Sequence, residues 1–279
     1  MLAKALIGIM PPLSRDEVIT VTHLHSLVGN KSSKLITSRP IRSPHHSASD
    51  VSIIGGGQKP KPGEVSLSHT GVLFLDELPE FKRSTIESLR QPLENKYVTV
   101  SRAQQSAQYP ADFLLVATKN PCPCGYYGSS KPCICSPIEI DRYQKKLSGP
   151  LLDRIDLHVV VDSIDHASLL AKKLPNSDIE TSATIRQRVF DTVKTQDSRF
   201  DKQNARNGNM NNRDIKKHAK LTKEAKDFLD VAASKLDISA RVYMKTVKVA
   251  RTIADLEGSE NIELRHISEA IQYRPAPTT

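Results

Sequence analysis

Two adjacent carboxylates, Asp76 and Glu77, close a run of four apolar residues in GVLFLDELPEF at 71–81. Ligands of open α/β sheets gather at the C-terminal ends of strands. A carboxylate pair there suits nucleotide hydrolysis: the first holds the water shell of Mg²⁺, and the second orients and deprotonates an attacking water. The plainer alternative is a charged pair opening a loop. A second apolar run, FLLVATKN at 113–120, ends on Asn120. A neutral amide at that place holds a water or senses a terminal phosphate without competing for the metal, or it is a turn asparagine. In LSGPLLDRIDLHVVV at 147–161, Arg154 stands just before another apolar run. A guanidinium there reaches a neighbouring subunit's phosphates, or pairs with Asp153 and Asp156. Arg241, at the start of a helical pattern, is either a lid residue over a nucleotide or a solvated cation.

All four cysteines fall in one stretch, as Cys122-Pro-Cys124 and Cys133-Ile-Cys135. Two short-spaced pairs separated by Gly125, Gly128 and Pro132 suit a tetrahedral Cys₄ zinc site, although C-x-C bites more tightly than the usual C-x-x-C. The alternatives are reduced thiols in a loop and a redox-labile pair. His45 and His46, with Arg39 and Arg42, form a basic segment for nucleotide or subunit contact, or for structural packing. Adjacent histidines on a strand point to opposite faces, which disfavours a shared metal. For nucleic acid, Lys96 and Arg102 lie on a hairpin pattern at 96–109, where phosphate contacts would weaken steeply with salt. The basic stretch 213–226 is a weaker candidate and reads as a solvated helix face.

These residues need elements to hold them. The compact apolar runs 72–75, 113–117 and 157–161 read as buried strands. Residues 84–93 read as a helix and 97–101 as a hairpin strand; strands separated by helices favour a parallel α/β sheet. Ser14 and Glu17 have capping-box spacing ahead of an apolar periodicity. The opening MLAKALIGIM is a helical pattern with no N-cap, stopped by Pro11 and Pro12. Beyond about residue 180, helices are predicted over 185–200, 223–236, 240–257 and 264–273, with an Asn-rich loop at 201–213. The predicted domains are therefore 1–170, an α/β core, and 180–279, a helical lid.

The chain has 279 residues, 38% hydrophobic and 25% charged, with a net charge of +9. Those fractions exclude wholesale disorder. No apolar run reaches the ~18 residues of a membrane span, and no secretory leader opens the chain. Four cysteines do not make a disulfide-stapled secreted domain, so a cytoplasmic location is expected. The positive charge invites a polyanion.

The order of the motifs resembles the AAA+ ATPases. RPIRSPHHSAS at 39–49, PGEVSLSHTGVLFLDELPEF at 62–81, NPCPCG at 120–125, SGPLLDRIDLHV at 148–159 and SARVYMKTVKVARTIADLEGSE at 239–260 resemble its magnesium-chelatase-like family, in the YifB/ComM branch. The resemblance covers almost the whole chain. It implies a hexameric ring ATPase that uses ATP and Mg²⁺ and, in this branch, branch-migrates DNA. Asp76 and Glu77 would be Walker B, Asn120 sensor 1, Arg154 the arginine finger and Arg241 sensor 2. Asp76, Asn120 and Arg241 would contact the nucleotide and its metal. The hairpin with Lys96 and Arg102 would face DNA in the pore.

The family's phosphate cradle, G-x-x-x-x-G-K-[ST], does not occur: none of the twelve glycines is followed by lysine. In the family a sequence like MLAKAL directly follows that cradle. The expectation is therefore an AAA+ parallel-sheet core lacking its first strand and P-loop, then a small all-α lid, inactive by itself. Two other readings stand beside it: a non-catalytic, zinc-bearing module that binds nucleic acid or a partner, and a magnesium-chelatase ATPase subunit.

Overall fold

Ser14 and Glu17 form the expected capping box at the head of α1 (Arg15–Ser26), each side chain bonding the other's backbone N–H. Val21, Leu24 and His25 bury one face of that helix, and the His25 Nε2 lies 3.1 Å from the Leu67 carbonyl oxygen. The computed structural model describes residues 5–29, 34–57, 60–102, 105–161, 180–200 and 205–275. The chain divides into two compact units, Met1–Ile7 with Pro12–Arg154 and Gly8–Pro11 with Ile155–Thr279, each taken by itself below.

In the first unit, β1 (Ile41–Arg42) is followed by α2 (Asp50–Ile54), the short strands β2 (Gly55–Gly56) and β3 (Lys61–Pro62), and α3 (Glu64–Leu67). Next come β4 (Val72–Leu75), α4 (Arg83–Ser88), α5 (Arg90–Asn95), β5 (Tyr97–Arg102), β6 (Gln105–Pro110) and β7 (Leu114–Ala117). Helices α6 (Pro137–Gln144) and α7 (Gly149–Leu152) complete the unit. Strands β1, β4 and β7 form a parallel sheet with β4 in the middle, and β5 and β6 form an antiparallel hairpin.

The register is set at the strand entrances. Gly71 is glycine because a Cβ there would lie 1.9 Å from the Pro40 carbonyl oxygen, while Val72 N–H donates to that same oxygen at 2.9 Å. On the other side, Thr70 N–H donates to Asp112 O (2.6 Å), Asp112 N–H donates to His69 Nδ1 (3.0 Å) and Leu114 N–H donates to Gly71 O (2.9 Å). Apolar side chains then lock the sheet: Leu73 and Leu75 pack with Ile53, Ile86, Leu89 and Leu151 in one buried cluster.

Helices carry the second unit: α8 (Ser182–Phe200), α9 (Asn212–His218), α10 (Lys223–Lys235), α11 (Ala240–Leu256) and α12 (Leu264–Gln272). Their core includes Leu229, Val247, Ile262 and Ile267. A buried polar knot crosses it. The Asp255 carboxylate accepts from Arg251 Nε (3.1 Å), Arg199 Nη1 (2.6 Å) and Asn207 Nδ2 (2.7 Å).

Four expectations are corrected. Residues 157–161 form no strand: His158 N–H donates to the Tyr273 carbonyl at 2.8 Å, and Val159, Val160 and Val161 are exposed. The single helix expected at 84–93 is two, because Pro92 has no N–H to donate to Ser88 O. Part of the Asn-rich stretch is helical, since Asn211 and Asp214 make a capping box for α9. Of the opening helical pattern, Leu6–Ile9 is a 3₁₀ turn, and residues 1–4 lie outside the described residues. The boundary predicted at 165–180 falls almost entirely on residues 162–179, also outside the described residues. Among the described residues, no helix is long and apolar enough to cross a membrane.

Candidate functional site

Buried Leu75 ends β4, and the next two residues are the carboxylates. Beside them, at the same end of β7, stands Thr118. Its hydroxyl donates to Asp76 Oδ1 at 2.5 Å and accepts the Glu77 N–H at 2.9 Å. Its backbone continues the sheet past the strands: Thr118 N–H donates to Leu75 O (3.1 Å), and Leu78 N–H donates to Thr118 O (2.8 Å). The turn carrying Asp76 and Glu77 is thus stitched to β7 at four points. Glu77 pays for this with a left-handed backbone, φ 52° and ψ 52°, which costs a non-glycine residue about 1–2 kcal/mol. Both carboxylates remain exposed and open to a metal or water.

Asn120 lies two residues beyond Thr118. With Glu77 it lines an open cavity of about 530 Å³ whose other walls include His46, Arg142, Tyr143 and Lys146. Tyr143 is buried, and burial pushes its pKa above the usual 10. Sequence reasoning missed Thr118 and this α6 wall. Thr118 stands in FLLVATKN as an unremarkable hydroxyl, and only the β4–β7 register places it against Asp76.

The four cysteines converge directly after Asn120. The Cys122 Sγ lies 3.4 Å from Cys124 Sγ and 3.7 Å from Cys133 Sγ, and Cys124 and Cys133 are 3.6 Å apart. All four sulfurs fall within 4.8 Å of one another, so the set could hold a metal ion. Backbone N–H groups of Tyr126 and Ile134 hold the Cys124 thiol down at about 6.

The remaining candidates lie on other elements. Arg154 donates to the Pro150 carbonyl at 2.6 Å and to the Glu94 carboxylate, which lays it against α5. Arg241 is exposed in the first turn of α11, in the other unit. Lys96 sits at the base of the β5–β6 hairpin in an ion pair with Asp112 at 3.0 Å. Arg102 ends β5, and its side chain is outside the described residues. In the basic segment, Arg39 pairs with Glu17 and Arg42 with Glu64. His45 and His46 lie past the end of β1, and their rings stack 4.0 Å apart instead of facing opposite ways.

Residues 1–169 match the family described as magnesium chelatase, subunit ChlI, and residues 179–274 match its C-terminal family. The chain belongs to the magnesium-chelatase family. Within it, the chain is 43% identical over 275 residues to competence protein ComM of Haemophilus influenzae, and 41% identical over 275 residues to YifB of Escherichia coli. An uncharacterized protein of Mycobacterium tuberculosis is 36% identical over 278 residues. The two former alignments cover 98% of this chain and 53% of the relative, so the chain spans about half the length of the curated relatives it matches. The parallel core with a helical C-terminal region is the architecture expected of a magnesium-chelatase-like AAA+ protein.

Proposed function

We propose that this chain supplies the hydrolytic edge and the lid of an ATP-driven ring motor that remodels DNA in the cytoplasm. The Asp76–Thr118–Glu77 arrangement at the C-terminal end of β4 carries the reading. One hydroxyl fixes both the carboxylate that faces the metal's water shell and the backbone of the carboxylate that activates water. Mg²⁺–ATP supplies the phosphoryl group and the charge that Asp76 balances through water. Glu77 takes the proton of the attacking water, and Asn120 orients that water from the neighbouring strand. Arg241 closes over the nucleotide from the helical unit. Arg154 leaves Glu94 to reach the phosphates of an adjacent subunit in a homo-hexameric ring. A phosphate cradle from outside these 279 residues completes the site. Lys96 and Arg102 flank the hairpin that meets DNA, Lys96 after exchanging Asp112 for a phosphate. The four cysteines bind one zinc ion.

The test is ATP hydrolysis by the protein that carries this chain, with and without branched DNA. Glu77→Gln is expected to lower turnover about 10²–10⁴-fold while leaving ATP binding intact. Turnover equal to that of the wild type overturns the reading.

A further inference from the structure

Residues 121–136 leave the sheet with little to hold them. Among these residues Cys122 alone is buried; Ile134 is 87% exposed and Tyr127 53%. Two turn bonds, Gly125 N–H to Cys122 O (3.0 Å) and Ser129 N–H to Tyr126 O (3.0 Å), do not make a core. An excursion of this size needs a staple. Zinc–sulfur bonds of about 2.3 Å put tetrahedral sulfurs about 3.8 Å apart. The three separations measured here, 3.4, 3.6 and 3.7 Å, are close to that edge. They are far longer than the ~2.05 Å of a disulfide. One ion fits among four sulfurs so close, whereas a multi-iron cluster would spread them.

Where the two ends of this loop lead gives the site its further meaning. Upstream, Cys122 is two residues from Asn120. Downstream, Cys135 precedes Ser136, which caps α6 in a box with Glu139. Near the far end of α6, Tyr143 turns back and lines the same cavity as Asn120. The chain from Asn120 to Tyr143 therefore leaves the cavity and returns to it, with the four sulfurs gathered in between.

We infer that metal bound by Cys122, Cys124, Cys133 and Cys135 is a clip that fixes Asn120 and the α6 wall of the cavity beside Glu77. This rests on the reading of the four thiols as a zinc site. Loaded, the clip ties together the loop that joins Asn120 to α6. Stripped, nothing but turn bonds orders the sixteen residues 121–136 between them. The metal acts on positioning and takes no part in bond making.

The experiment uses protein purified without chelators. Elemental analysis is expected to find about one zinc per chain, and cobalt exchange is expected to give the visible absorption of a tetrahedral tetrathiolate. Hydrogen exchange is then compared between loaded protein, reduced protein stripped by chelator, and the double variant Cys133→Ser/Cys135→Ser. Amides of 119–144 are expected to exchange faster by on the order of tenfold in both stripped forms, with β4 and the β5–β6 hairpin unchanged. Absence of zinc overturns the zinc reading and the clip together. Bound zinc whose removal leaves Lys119, Asn120 and α6 as protected as before overturns the clip alone. Loss of protection throughout β4 and β7 also overturns it, because the metal would then be a general staple.

Discussion

Thr118 shows how much a single hydroxyl does here. It has one proton and two lone pairs, and it spends the proton on Asp76 and a lone pair on the Glu77 amide. Without it, Asp76 loses a fixed direction and the left-handed turn at Glu77 loses one of its bonds to β7. Displacements of about 1 Å at a reacting centre cost up to about 100-fold in rate. Thr118→Val is therefore expected to lower kcat for ATP about 10- to 100-fold with little change in KM, and Thr118→Ser to restore most of it. A stability effect alone would leave kcat per folded molecule unchanged, so steady-state kinetics on soluble, folded variants separates the two roles. The same scale explains the candidates that read less well. Charge type made Lys96 and Arg154 attractive, yet sequence does not show that Asp112 and Glu94 already hold them.

Among the elements, local chemistry was legible and long-range chemistry was not. The capping box of α1 and the apolar run of β4 are complete within a few residues, so their sequences suffice. The run at 157–161 has strand composition but bonds its His158 amide to the end of α12, and composition does not specify a partner. Residues 84–93 read as one helix, and the donor missing at Pro92 divides it. Thr118 and Asp76 are 42 residues apart in sequence and meet only through the β4–β7 register.

That register depends on His69, which predicts a pH dependence. His69 Nδ1 accepts the Asp112 amide, and burial pushes the imidazole pKa below its ordinary 6.5. The unfolded chain takes up a proton near pH 6.5 that the folded chain refuses. Stability is thus expected to fall as pH drops below 6.5, until the lowered native pKa is passed. His69→Asn keeps an acceptor without titrating. The difference in urea midpoint between wild type and variant, followed from pH 7.5 to 5, should shift in the variant's favour as acid is added. A constant difference across that range would show that His69 does not titrate against the fold.

At the scale of the molecule the described residues form two hydrophobic clusters, one around Leu73 and Leu75 and the other around Leu229 and Ile267. The helical unit adds the knot on Asp255, where Asp255 and Arg251 side chains are each 1% exposed. Removing one partner of a buried pair costs about 3–5 kcal/mol, because the other charge stays behind. Asp255→Ala is expected to lower the stability of residues 180–275 by about that amount while leaving β1–β4–β7 untouched. Residue-resolved hydrogen exchange in denaturant reads both units at once, and a matching loss in the sheet would show that the two cores unfold together. Arg39, Arg42, Lys96, Arg154 and Arg251 each pair with a carboxylate, so the net charge of +9 is carried by other lysines and arginines.

The left-handed backbone at Glu77 has a consequence for natural variation. Glycine, asparagine or aspartate would sit at position 77 more comfortably than glutamate. On the proposed role of Glu77, a copy of this gene released from selection for catalysis would gain stability by drifting toward those residues. Glycine at this turn would then mark a lineage that has kept the scaffold and abandoned the reaction.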